Sequence, residues 1–224
     1  MASVKTKVVM LRKTVLKALR RNLIDNLPFG DFHLEKTEVQ DRSLSTDELD
    51  KLIATPLKSR TQRFIRDMFV FSTFTGLSFA DLNKLTWKDI VAEDDGSHWI
   101  STCRQKTKTA FNVKLLNIPI QIMERYNESA DNERVFPLMN LGYINIGLKH
   151  VAANCKIDRI LSFHMSRHTF ATQICISQGV PIESVSRMLG HMDIRTTQRY
   201  ARFSNEKIIN DMKKLSSRSK TINT

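Results

Sequence analysis

Glycine and proline are scarce in this sequence, at seven and five of 224 residues. That is too few for a chain dominated by turns, and the abundant Leu, Ile, Lys and Arg lean it towards helix. Cysteine is rarer still. Cys103, Cys155 and Cys175 are an odd number without metal-like spacing, so no disulfide framework is expected and they read as reduced core thiols of a cytoplasmic protein. No run approaches the ~18 apolar residues of a membrane span, and Met1–Arg21 has no apolar core of the kind a signal peptide carries. There is no Gly-rich phosphate loop and no cluster of metal-ligating side chains, so neither cofactor nor metal is expected. Acidic residues are outnumbered, 23 against 35 Lys and Arg.

The resulting formal charge of +12 and the 41% hydrophobic content describe a folded protein with a surface suited to a polyanion. Nucleic acid is the first candidate and an anionic membrane a distant second.

The chain opens on a basic helix, Val4 to Ile24, whose Val8, Leu11, Val15, Leu19 and Leu23 recur at steps of three and four. Asn26-Leu27-Pro28-Phe29-Gly30 breaks it, and a polar linker runs to about Ser43. Ser45-Thr46-Asp47-Glu48 is a capping-box pattern opening a helix with Leu49, Leu52 and Ile53 inward. A longer helix follows over 59–73, with Phe64, Met68, Phe69 and Phe71 as core candidates, then a short one over 79–85. Residues 87–91, 97–103 and 110–115 read as three strands with turns at 93–96 and 105–109. Helices are expected over 120–126, 143–155, 164–177, 182–189, 194–201 and 205–215. The fold class is mainly α (α+β): a helical domain with a small three-stranded antiparallel sheet.

Three segments carry chemistry. His164-Met165-Ser166-Arg167-His168 places His164 and Arg167 three apart, on one helix face. Leu189-Gly190-His191 fits a glycine cap that sets His191 just beyond a helix end. Thr196-Thr197-Gln198-Arg199-Tyr200 puts a phenol nine positions past that histidine. Each segment alone is better explained by a solvated face or a packed ring.

Together, in this order and at these intervals, they resemble the tyrosine recombinase (phage integrase) family. The likeness runs from about Arg42 to Arg218 and includes the flanking Arg167-His168-Thr169-Phe170-Ala171-Thr172. It implies that Tyr200 attacks a DNA phosphate to give a 3′-phosphotyrosyl link, held by Arg167, His164 and His191. It implies that Lys106 is the general acid for the leaving 5′-oxygen, and that Asp81 and His168 support the site from behind. Residues 1–27 resemble the last helix of the family's core-binding domain, 28–44 its linker and 45–224 the catalytic domain, which implies either a fragment of a longer protein or a naturally short member.

One position departs from the pattern. The family's first arginine follows Thr-Gly-Leu, and Ser78 stands there. Either the site is crippled and the protein binds DNA without cutting it, or another cation substitutes, with Lys84, Arg104 and Lys108 the nearest in sequence. The wording Thr75-Gly76-Leu77-Ser78-Phe79-Ala80-Asp81 resembles integrases of Bacteroides-type conjugative transposons, where this arginine can be replaced in active enzymes. The resemblance further implies duplex DNA as partner and a homotetramer on DNA that exchanges its C-terminal helix. A host DNA-bending accessory protein is a further candidate partner. Arg195 and Arg199, with six more Lys or Arg from there to Thr224, are expected to track DNA phosphates. A type IB topoisomerase, which shares the chemistry, is a third reading.

Overall fold

The computed structural model of the chain describes residues 4–28, 42–127, 133–201 and 212. The chain falls into two compact units, Met1–Gln40 and Asp41–Thr224. The first contains the basic helix α1, Val4–Arg20, a turn shorter than its apolar stripe suggests.

The second unit is organised around α3, Arg60–Thr75, which follows α2, Thr46–Ala54. The capping box of α2 is present as read: Ser45 N donates to Glu48 Oε2 at 2.9 Å, and Glu48 N donates to Ser45 Oγ at 3.2 Å. Ile65, Met68, Phe69 and Phe71 on α3 are buried, with Phe64 partly so. Packed around α3 are α5, Asn117–Asn127, α6, Leu141–Asn154, and α7, Phe163–Thr169. Gly76 ends α3 at φ +70, and a Cβ there would collide with the Phe170 ring. Only glycine satisfies both demands.

Between α4, Phe79–Leu82, and α5 lies the antiparallel sheet β1, Ile90–Ala92, β2, His98–Cys103, and β3, Ala110–Lys114, in the order β1-β2-β3. Ile100 pairs with Ile90 on one side and Val113 on the other, so one apolar row, buried at Ile100 and Val113 and partly so at Ile90, fixes the register. The first strand begins later than its sequence suggests, because Trp87–Asp89 is a 3₁₀ turn. Asp89 Oδ2 accepts from both the Thr86 backbone N and its Oγ1, at 2.8 and 2.7 Å, and this cap overrides the β propensity of Trp87.

A second correction concerns the helix expected over 164–177. It is α-helical only through Thr169, and Phe170–Ile176 is a π-helical turn. Its wider winding is closed by Ser177 N donating to Thr172 O at 2.8 Å, five residues back. Then come α8, Ile182–Met188, and α9, Arg195–Ala201. The helix expected over 205–215 lies outside the described residues except for position 212. The cysteine reading needs one change: Cys155 and Cys175 are buried, but Cys103 is exposed at the end of β2. Among the described residues no helix is long and apolar enough to cross a membrane.

Candidate active site

Arg167 is the structural centre of the site. It lies on α7, is only 3% exposed, and therefore needs acceptors for a charge removed from water. Its Nη1 donates to Gly76 O and its Nη2 to Leu189 O. These carbonyls close α3 and α8, where the negative ends of helix dipoles favour a cation. Ser72 Oγ of α3 donates to Leu77 O at 2.7 Å and meets Ser166 Oγ of α7 at 2.6 Å, tying the two helices together. Burial and the charge of Arg104 bring the Arg167 pKa down to about 10, with Tyr200 and Asp81 opposing. It stays protonated at neutral pH.

His191 arrives by the glycine cap read from the sequence. Gly190 adopts φ +59, and the His191 backbone N donates to Ser186 O at 3.0 Å, turning the chain back over α8. The ring's Nε2 lies 3.1 Å from Arg167 Nη2 and its Nδ1 lies 2.8 Å from Thr197 Oγ1. Burial first, then Arg167 and Arg104, push its pKa down to about 4. His164 is lowered for the same reasons, with Arg42 contributing. Both imidazoles are neutral at pH 7.

Tyr200 is 6% exposed and sits inside this cluster. Its ring stacks at 14° on His191, with centroids 6.5 Å apart, and meets His168 edge-on at 5.0 Å. His168 meets His164 edge-on at 4.8 Å, so four rings form a continuous row. Burial raises the phenol's pKa above its ordinary value. The charges of Arg167, Arg104 and Arg199 and a hydrogen bond with Arg167 pull the other way.

Ser78 has no charge to offer and its hydroxyl is committed. It caps α4, donating to Asp81 Oδ2 at 2.6 Å and accepting from Asp81 N at 3.3 Å. Asp81 Oδ1 accepts from Gln105 N at 2.8 Å, which pins the β2–β3 turn against α4. Arg104, next in the chain to Gln105, is thereby carried into the cluster. Its side chain lies along Gly190, and its charge acts on Arg167, His164, His191 and Tyr200. Its Nε is buried without a hydrogen-bond partner among the described residues.

The other two cations raised for this role are placed differently. Lys84 Nζ donates to Gln105 Oε1 at 2.7 Å, and Lys108 is exposed at φ +57 on the turn. Lys106 is exposed on the same turn, and Arg195 and Arg199 are exposed on α9. The structure thus gathers Arg167, His164, His191, Tyr200 and His168, with Asp81 behind them, and leaves Lys106 at the rim. Sequence reasoning missed Thr197; its signal was a hydroxyl one helical turn before Tyr200. A cavity of about 260 Å³ adjoins the cluster, bounded by Ser78, His164 and Arg167.

The larger cavity, about 800 Å³, is lined by residues of the first half of α3, including Arg63, Phe64 and Arg66. Its one carboxylate, Asp67, is buried and accepts from Arg66, Arg125 and Tyr126 at 3.0 to 3.2 Å. That is a closed structural network.

A phenol held among imidazoles and guanidiniums, on a helical domain with one small sheet, is the arrangement of a tyrosine recombinase catalytic domain. The chain belongs to the phage integrase family, whose pattern it matches over residues 42–207. It is 28% identical over 199 residues to the tyrosine recombinase XerD of Halalkalibacterium halodurans, covering 81% of this chain and 64% of that protein. The chain therefore spans less than two thirds of that curated relative. Its fold is similar to that of the XerH site-specific recombinase bound to a palindromic difH substrate in a post-cleavage complex. That likeness has a TM-score of 0.69 and 19% identity, covering 84% of this chain and 58% of the other. It is similar also to the Tn1549 transposon integrase in complex with transposon right-end DNA, with a TM-score of 0.68 and 17% identity, covering 92% and 76%.

Proposed function

We propose that this chain cuts and rejoins duplex DNA at specific sites through a 3′-phosphotyrosyl intermediate formed by Tyr200. The observation that carries the reading is the convergence of Tyr200, Arg167, Arg104, His164 and His191 in one polar cluster, with Arg167 and Tyr200 buried, Arg104 and His191 half-buried and His164 at the exposed edge. Tyr200 Oη attacks the scissile phosphorus, the P–O5′ bond breaks, and the phosphotyrosyl bond conserves the energy for religation. The neutral His164 accepts the phenolic proton. The leaving 5′-oxygen takes a proton from Lys106, which stands exposed on the β2–β3 turn at the rim of the cluster. Arg167 and Arg104 neutralise the non-bridging oxygens, and His191 hydrogen-bonds them. An entering phosphate brings negative charge to a cluster rich in guanidinium, the preorganised electrostatics that phosphoryl transfer exploits.

Arg104 occupies the functional place that Ser78 leaves empty, which favours an active enzyme over an impaired DNA-binding factor. The Thr75–Asp81 wording and the likeness to a transposon integrase favour a mobile-element integrase of the Bacteroides conjugative type. Duplex DNA is the partner that the +12 charge fits. The working assembly is a homotetramer exchanging the tail helix, assisted by a DNA-bending host protein. Residues 1–27 are assigned to a core-binding domain, 28–44 to the linker and 45–224 to the catalytic domain.

The test is a nicked half-site that traps the covalent state. Wild-type protein should form a protease-sensitive DNA adduct, and Tyr200→Phe should form none. An adduct that survives Tyr200→Phe, or no adduct on any half-site, overturns the reading. Sequence-independent relaxation of plasmids would assign a topoisomerase instead.

A further inference from the structure

We propose that Thr197 is a positioning residue that orients the His191 ring through a reversible hydrogen bond, so that the histidine is correctly set only while the helix bearing Tyr200 is docked. The catalytic consequence rests on the recombinase reading; the geometry does not.

The argument begins with what the two ring nitrogens face. A guanidinium can only donate, so His191 Nε2, 3.1 Å from Arg167 Nη2, is an acceptor with a free lone pair. The neutral ring then carries its proton on Nδ1, and that N–H donates to Thr197 Oγ1 at 2.8 Å. Thr197 is fully buried, whereas its neighbours Thr196, Gln198 and Arg199 are exposed. It stands three residues before Tyr200, so both project from the one buried face of α9. A β-branched side chain is also stiff about χ1, which suits a fixed partner.

The hydroxyl matters because the resting tautomer is the wrong one for catalysis. To hydrogen-bond a non-bridging phosphate oxygen, His191 must present Nε2–H. When phosphate draws Arg167 away, the ring proton has to reside on Nε2, and Nδ1 becomes an acceptor. A carbonyl or carboxylate behind the ring could serve only the first state. A hydroxyl serves both, rotating from acceptor to donor without moving the helix. Undocking of α9 removes this partner together with the nucleophile, so the site is assembled or dismantled as one unit.

Two measurements on the full chain test this. The first is ¹⁵N NMR of the His191 ring without DNA, comparing wild type, Thr197→Ser and the near-isosteric Thr197→Val. Wild type and the serine variant should show a single Nδ1–H tautomer, and the valine variant a mixture. The second is single-turnover adduct formation on the nicked half-site. Thr197→Val should slow it about tenfold to a hundredfold with unchanged DNA affinity, and Thr197→Ser should restore it to within about threefold. A valine variant with wild-type ring spectra overturns the positioning claim, whatever the DNA does. Wild-type protein without any adduct overturns the recombinase reading alone and leaves the spectra to decide the rest.

Discussion

Among the described residues of the second unit, two apolar clusters differ greatly in size. One runs from Leu44 to Met165 and is rich in Phe and Leu from α3, α6, α7 and the sheet. Its rings meet edge to face, Phe71 with Phe136 at 5.0 Å and Phe79 with Phe163 at 5.2 Å. The other comprises Phe170, Ala171, Cys175, Ile176, Val185, Leu189 and Tyr200. Burial alone can hold the first, since every side chain has many apolar neighbours. The second is too small for that and relies on directed bonds: Arg167 to the carbonyls ending α3 and α8, and His191 to Thr197. The site therefore lies where a large apolar core meets a part ordered by polar contacts.

The largest test of that contrast is to damage each side in turn. Arg167→Ala should lower single-turnover cleavage by about 10³, because a donor made for the phosphate disappears. It should also lower the melting temperature, because two helix-end carbonyls lose their partner. Phe69→Leu, deep in the large cluster, should lose about 1–3 kcal/mol of stability and keep the cleavage rate within roughly threefold. Equal rate losses for the two variants would erase the distinction between the clusters.

A second, smaller effect separates the cations. Arg104→Ala should reduce cleavage by about 10², while Lys84→Ala and Lys108→Ala should lose at most about tenfold, through weaker DNA binding. A rate loss for Lys84→Ala matching that of Arg104→Ala would remove Arg104 from the place of the missing arginine.

Much of this was visible in the sequence, and for particular reasons. The Ser45–Glu48 cap, the Gly190 cap and the α3 stripe depend on residues close in the chain, and they were legible. The family pattern fixed the order of His164, Arg167, His191 and Tyr200, though not their contacts. Three features were hidden because backbone groups decide them. The entry of Arg104 into the cluster follows from Asp81 accepting from the neighbouring Gln105 amide, an atom no residue type announces. The π-helical turn is set by the Thr172 carbonyl and the tight fit of Phe170 against Gly76. The carbonyls of Gly76 and Leu189 that anchor Arg167 belong to residues with no polar side chain.

The subtlest expected effect is a pH dependence confined to the small cluster. His191 folds with its pKa lowered to about 4, and His164 is lowered as well, chiefly by burial. An exposed imidazole titrates near 6.5, so between these values the unfolded chain binds protons that the folded site refuses. Stability from this source is intact above pH ~6.5 and is lost progressively as the pH falls towards 4. Urea midpoints at pH 7.5, 6 and 5 should therefore decline for the wild type and decline less for His191→Asn. Amide exchange should report where the loss occurs. The π-helical turn and α9 should exchange faster at pH 5 once the intrinsic rate is corrected, while α3 remains unchanged. Acceleration of α3 in step with α9 would mean that the two clusters open as one body, and the division drawn between them would not hold.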